Sequence, residues 1–160
     1  MEQPSSRLHH IGLVVKNLQS FSRYLALLGF TVEKAVRYPA TQTVIHGRLA
    51  APYVLKVAFA PLGRGVELEI IEEEEGRSIH REILEKTGGG VDHLAFEVAD
   101  LHDAVTAFEE AGSKVALIPH GEQSDALYVD TREATGIYTE LMQRGKLKPR
   151  LDTYQSLDGT

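Results

Sequence analysis

The feature that most constrains this chain is that it states one pattern twice. Val91–Leu101 reads Val-Asp-His-Leu-Ala-Phe-Glu-Val-Ala-Asp-Leu, and Leu8–Leu18 reads Leu-His-His-Ile-Gly-Leu-Val-Val-Lys-Asn-Leu. Aligned, His10 meets His93, Leu18 meets Leu101, Gly29 meets Gly112 and Val32 meets Val115, all at one ungapped offset. A register held over that distance marks an internal repeat and predicts two modules of one architecture. Each copy opens with a His followed by an apolar residue, and that pair marks the expected chemistry.

The periodicities within each copy define the module. Leu8–Val15 is compact and apolar, as a strand is, with His10, Gly12 and Val14 on one face by alternation. Asn17 is placed to cap a helix to about Leu28, closed by Gly29, with Leu18, Phe21, Leu25 and Leu28 at helical spacing. Thr31–Arg37 reads as a strand, and Tyr38–Pro52 as a long loop or lid. Tyr53–Ala60 and Val66–Glu72 are strands joined by a turn at 61–65. The acidic run 72–76 reads as solvated. Ser78–Lys86 reads as a helix ended by Gly88-Gly89-Gly90.

The second copy repeats the plan. Val91–Val98 is a strand and Asp100 caps a helix buried through Leu101, Ala104, Val105 and Phe108. Ser113–Ile118, Ala126–Asp130 and Ile137–Met142 are three returning strands. The expected organisation is a first βαβββ module over 8–76, a linker helix over 77–90, a second module over 91–143 and a tail over 144–160, all in one compact α+β domain.

Composition limits the partners. The 160 residues carry a formal charge of −6, with no basic cluster to suit nucleic acid or an anionic membrane. No apolar run approaches a membrane span, and the first residues lack the pattern of a signal peptide, so a cytoplasmic setting is expected. The absence of Cys removes disulfides, thiolate ligands and cysteine nucleophiles.

Four residues carry the functional argument. His10 and His93 hold equivalent places in the opening strands. Glu69 and Glu140 lie among apolar neighbours in the closing strands, where an unpaired carboxylate is costly to bury. If each module curls so that its first and last strands lie side by side, two imidazoles and two carboxylates meet at a common centre. That donor set suits Ni, Co, Zn, Mn or Fe. Gly12 and Ala95, two residues beyond each His, would leave space beside the ion. His9, His80, His102 and His120 read as structural or surface residues.

With these residues in place, the chain resembles the vicinal oxygen chelate superfamily over about residues 8–143. Its members include glyoxalase I, methylmalonyl-CoA epimerase, extradiol dioxygenases and bleomycin-resistance proteins. Lys56–Gly63, Leu68–Glu72 and Gly88–Val98 are similar to the epimerase branch. The resemblance implies paired βαβββ modules forming an open, barrel-like mixed sheet around a metal cleft, with ligands at His10, Glu69, His93 and Glu140. It implies proton transfer beside a chelated carbonyl or thioester, in an epimerase, isomerase or glyoxalase-type lyase. Glu140 or Glu69 would serve as base. Acyl-CoA or hemithioacetal substrates and a homodimer also follow from the resemblance. The epimerases carry a catalytic Glu shortly before the Lys-Val-Ala-Phe stretch, where this chain has Tyr53 and Val54. Tyr53 and His46 are the remaining substrate-binding candidates. The alternative is a non-catalytic binding or resistance protein of the same fold.

Overall fold

The structure, a computed structural model, describes residues 6–119, 124–146 and, for the backbone only, 155–156. Residues 1–5, His120 and most of the tail expected over 144–160 lie outside the described residues.

The opening strand β1 (Arg7–Val14) leads into helix α1 (Leu18–Leu27), then β2 (Val36–Ala40), a short hairpin β3 (Val44–Ile45) and β4 (Arg48–Leu49), and the long pair β5 (Tyr53–Gly63) and β6 (Val66–Glu75). A connecting helix α2 (Arg81–Thr87) precedes β7 (Gly90–Val98), α3 (Leu101–Glu110), β8 (Val115–Ile118), β9 (Ala126–Val129), the single turn α4 (Arg132–Thr135) and β10 (Tyr138–Gln143); β11 (Gln155–Ser156) returns to the first half.

All strands join one mixed sheet in the order β11-β2-β5-β6-β1-β7-β10-β9-β8-β3-β4. Read outward from the β1–β7 seam, β1-β6-β5-β2 on one side answers β7-β10-β9-β8 on the other, so the two halves are related by an approximate twofold. In each half the first strand lies parallel to the last, β1 with β6 and β7 with β10. The halves meet antiparallel along β1–β7. The α+β fold expected from the repeat is the fold observed.

Each half buries one helix by the same device. Asn17 accepts a hydrogen bond from Ser20 N–H and Asp100 from Asp103 N–H, satisfying amides that the first helical turn leaves open. The closing strand adds a second acceptor, Glu72 to Leu18 N–H at 2.7 Å and Gln143 to Leu101 N–H at 2.8 Å. Leu18 and Leu25 then pack on Ala58, Ala60 and Ile70, while Leu101, Ala104, Val105 and Phe108 pack on Val98, Val129 and Leu141. Leu28, expected on the inner face, is 73% exposed, because the helix ends at Leu27 and Gly29 turns the chain away with φ +82°.

The opposite face of the sheet is concave and carries two further clusters. One gathers Val14, Val36, Tyr53, Leu55, Val57, Phe59 and Ile71; the other gathers Ile79, Leu117, Tyr128 and Tyr138. Ile45 packs against both, so the sheet curls until its outer strands face each other across β3.

This corrects the expected loop or lid at Tyr38–Pro52. Its start belongs to β2, and its middle is the β3–β4 hairpin, whose Val44 and Ile45 pair with Ile118 and Leu117 of β8. The segment is a strap from the first half to the outer strand of the second. Its partner lies far along the chain, so no local pattern announces it.

The other boundaries move for local reasons. The strand expected at Thr31–Arg37 starts at Val36, because Val32 and Ala35 are drawn under α1 instead. It runs on through Pro39, which is exposed; a residue without an N–H is tolerated near a sheet edge. The turn expected at 61–65 contracts to Arg64-Gly65, both at positive φ as tight hairpins require.

Candidate metal centre

Pairing register brings the four expected residues together. Across the seam His10 faces Ala95 and His93 faces Gly12; along the parallel ladders Gly12 faces Glu69 and Ala95 faces Glu140. The four side chains therefore enter the concave face from four adjacent strands. Glu140 Oε2 lies 2.9 Å from His10 Nε2 and 3.4 Å from His93 Nε2; Glu69 Oε2 lies 3.2 Å from each. The two Nε2 atoms are 3.1 Å apart, with the rings nearly perpendicular at 84°.

Donors about 2.1 Å from one ion and at right angles stand about 3.0 Å apart, which is the observed spacing. Glu140 Oε2 is buried and accepts no hydrogen bond despite its closeness to His10 Nε2. Buried polar atoms rarely go unsatisfied; this one points, with its three neighbours, at a shared centre. The residues fit a divalent ion.

Electrostatics agree. Burial by itself would lower the His10 and His93 pKa values, but Glu69 and Glu140, with Asp92 also acting on His93, raise both above the ordinary imidazole value. Burial would raise that of Glu140, yet His10 and His93 hold it down at about 2. The cluster thus concentrates negative charge that must be met by protons or by a cation.

Each clustered His adjoins a β-bulge. Along the β1–β7 ladder the register slips once between Leu8 and His10 and once between Gly12 and Leu13. The extra residues are His9 and Asp92, which are equivalent in the repeat and stand one place before each clustered His. Bulges re-aim side chains next to sites. Here the bulge turns His9, expected on the far face, back toward His10, with the two Nδ1 atoms 2.9 Å apart. In the second half Asp92 takes that place, its Oδ2 3.0 Å from His93 Nδ1.

The space expected beside the ion at Gly12 is already filled by the His93 ring, whose Cε1 would lie 2.0 Å from a Cβ there. Tyr53 is buried among the concave-face residues and donates to Thr43 Oγ1 at 3.3 Å. His46 is exposed in the β3–β4 turn at φ +47°, where its backbone N–H donates to Ala116 O. The structure brings neither side chain into the four-residue cluster. Arg37 and Lys56 pair with Glu72, Glu74 and Glu75 rather than facing the cluster.

Sequence reasoning missed three residues beside the cluster. Asp92 and His80 are both 3% exposed and hydrogen-bonded at 2.9 Å, although His80 reads as a linker residue. Tyr128 faces Glu140 across β9–β10, with its ring centroid 4.9 Å from that of His93. Burial first, then the charges of Glu140 and Glu69, push its phenol well above 10, so it stays a proton donor. Phe59, the counterpart facing Glu69 on β5, has no hydroxyl. The signal for Asp92 was present in the sequence: it stands where the repeat has His9.

A curled mixed sheet of two pseudo-symmetric halves, with a His and a Glu from each at the seam, defines a class of fold. The sequence model of the Glyoxalase/Bleomycin resistance protein/Dioxygenase superfamily matches residues 9–129, and the chain belongs to that superfamily. A comparison with curated proteins finds no match. Among solved structures, hypothetical protein BH1468 from Bacillus halodurans C-125 is similar at TM-score 0.68 and 20% identity, over 90% of this chain and 98% of that one. Methylmalonyl-CoA epimerase from Mycobacterium tuberculosis is similar at TM-score 0.62 and 18% identity, over 91% and 90%. A single-residue variant of the Streptomyces coelicolor methylmalonyl-CoA epimerase, in complex with 2-nitronate-propionyl-CoA, is similar at TM-score 0.59 and 20% identity, over 89% and 96%. At these identities the likeness is one of fold. No helix among the described residues is long and apolar enough to cross a membrane.

Proposed function

We propose that the chain is a divalent-metal-dependent enzyme that moves a carbon-bound proton beside a carbonyl or thioester, as an epimerase, isomerase or glyoxalase-type lyase. The observation that carries this is the convergence of His10, Glu69, His93 and Glu140 on one buried centre, with Glu140 Oε2 accepting no hydrogen bond. These residues would hold the ion, which when bound supplies Lewis acidity toward a substrate carbonyl oxygen.

The rest falls to the protein. Proton transfer at carbon needs a base within reach of that carbon. Glu69 and Glu140 enter from strands on either side of the seam, so they approach from opposite sides. Epimerisation has the matching requirement, removal of a proton on one face and delivery on the other. The Tyr128 hydroxyl, held protonated, offers a hydrogen bond to a substrate oxygen on the side of the second half. The epimerase relatives, one of them bound to 2-nitronate-propionyl-CoA, support an acyl-CoA substrate. Tyr53, bonded to Thr43, occupies the position where the family resemblance implies a Glu base, so the proton chemistry is assigned to the clustered carboxylates. A homodimer in the cytoplasm completes the proposal.

The test is metal content by mass spectrometry on protein purified without a His tag, wild type and His93→Ala. It is followed by proton exchange in deuterated water with 2-substituted acyl-CoAs and hemithioacetals. One divalent ion per chain, lost in the variant, together with exchange, supports the proposal. No metal bound and none taken up from nickel, cobalt or zinc overturns it in favour of a metal-free binding protein.

A further inference from the structure

The cluster engages only the Nε2 side of His93. Its Nδ1 side is engaged too, by residues outside the four. Asp92 Oδ2 lies 3.0 Å from His93 Nδ1 and 2.9 Å from His80 Nδ1. All three residues are buried, at 3%, 0% and 3% exposure for Asp92, His93 and His80. An imidazole that turns its Nε2 lone pair to an ion carries its proton on Nδ1, so His93 donates to Asp92. The same oxygen accepts from His80.

His80 is itself fixed. Its backbone N–H donates to Ser78 Oγ at 3.1 Å, and Ser78 N–H donates to Glu73 at 2.9 Å. The Glu73 side chain is fully buried and paired with Arg81. Glu73, within the acidic run expected to be solvated, therefore anchors the segment joining the two halves, while Glu74 and Glu75 are exposed. On the other side of the seam His10 Nδ1 meets the His9 ring, with the two Nδ1 atoms 2.9 Å apart.

We propose that His80 and Asp92 are positioning residues for His93, and that through them the segment between the two halves sets the affinity of the cluster for a divalent cation. Asp92 fixes the Nδ1–H tautomer and strengthens Nε2 as a donor; His80 holds the Asp92 carboxylate in place. This inference rests on the proposed metal centre.

Zinc and cobalt titrations of the full chain by calorimetry test it, with the ring nitrogens of His93 followed by 15N NMR before and after loading. Removing a ligand's outer partner costs roughly 10- to 100-fold in metal affinity, and Asp92→Asn should lose that much and, in the metal-free protein at a pH where His93 is neutral, mix the His93 tautomers. His80→Leu should weaken binding in the same direction by a smaller factor. His80→Asn, whose amide N–H sits close to where Nδ1–H was, should restore most of it. His9→Gln should have the least effect.

Wild-type affinity and an unmixed tautomer in both Asp92→Asn and His80→Leu would overturn the relay while leaving the metal centre standing. Failure of the wild type to bind metal would overturn both. Two ions per chain would make His80, Asp92 and His93 a second metal site and overturn the relay. If Asp92→Asn fails to fold, the His80→Leu and His80→Asn pair decides the matter alone.

Discussion

Gly12 faces His93 across the seam so closely that a methyl group at Gly12 would fall 2.0 Å from His93 Cε1 and 2.4 Å from Nε2. The repeat partner of Gly12 is Ala95, which faces His10 and does carry a Cβ. Near-symmetric halves thus place their imidazoles differently, with the His93 ring lying over the backbone of β1. Gly12→Ala should displace that ring from the cluster and cost at least about tenfold in divalent-metal affinity, because the close-packed seam has no room for both the methyl group and the ring. Ala95→Gly should cost about 1 kcal/mol of stability and leave the ligand set intact. Metal titration beside thermal unfolding separates the two effects.

The two carboxylates divide the proposed labour. Glu140→Gln keeps a ligating oxygen but removes the base, so proton exchange at carbon should fall by about 100-fold or more while much of the metal remains. Glu69→Gln should lose one direction of transfer more than the other. Deuterium incorporation measured from each epimer reads this out. Unchanged turnover in Glu140→Gln would remove it from the chemistry.

Protons would compete with a metal ion at the proposed site. His10 and His93 are raised above their ordinary 6.5 in the metal-free protein, so an ion must displace the protons they bind, and affinity should fall with falling pH. The same shift stabilises the metal-free fold. Its contribution is complete below 6.5 and is lost as pH rises through the raised values. Glu140, held at about 2, acts oppositely: its contribution is present above 4.5 and lost as pH falls toward 2. Melting curves from pH 5 to 9, with chelator and with zinc, should diverge most at the alkaline end. An ion at about 100 times its Kd adds about 2.7 kcal/mol there.

The strap that joins the outer strands turns on Ile45, which packs against both concave-face clusters. Ile45→Ala should cost about 2 kcal/mol and selectively deprotect β3 and β8 in amide exchange, with α1 and α3 unaffected. Uniform loss of protection would mean that the strap is inseparable from the rest of the fold.

Much of this protein was legible in the chain because it is written twice. The helices capped by Asn17 and Asp100, the strands bearing His10 and His93 and the closing strands bearing Glu69 and Glu140 all follow from local periodicity. A repeated residue at a repeated position then argues for a shared centre. The strap at Val44–Ile45 was not legible, since two residues of strand have no pattern of their own and their partners on β8 lie far along the chain. His80 and Glu73 were equally hidden: a His in a linker helix reads as structural or surface, and a Glu in an acidic run as solvated, until burial is known.

By itself, then, the sequence determined the two modules, their apolar faces and the four residues that belong together, because alternation and helical spacing are local and the repeat doubles each signal. Tertiary structure alone decided that β1 and β7 meet at the seam and that bulges at His9 and Asp92 turn those residues toward their neighbours. It also decided that the His93 ring takes the space Gly12 leaves. Those outcomes depend on strand register and on which atoms exclude one another at close range, and neither exists until the strands are paired.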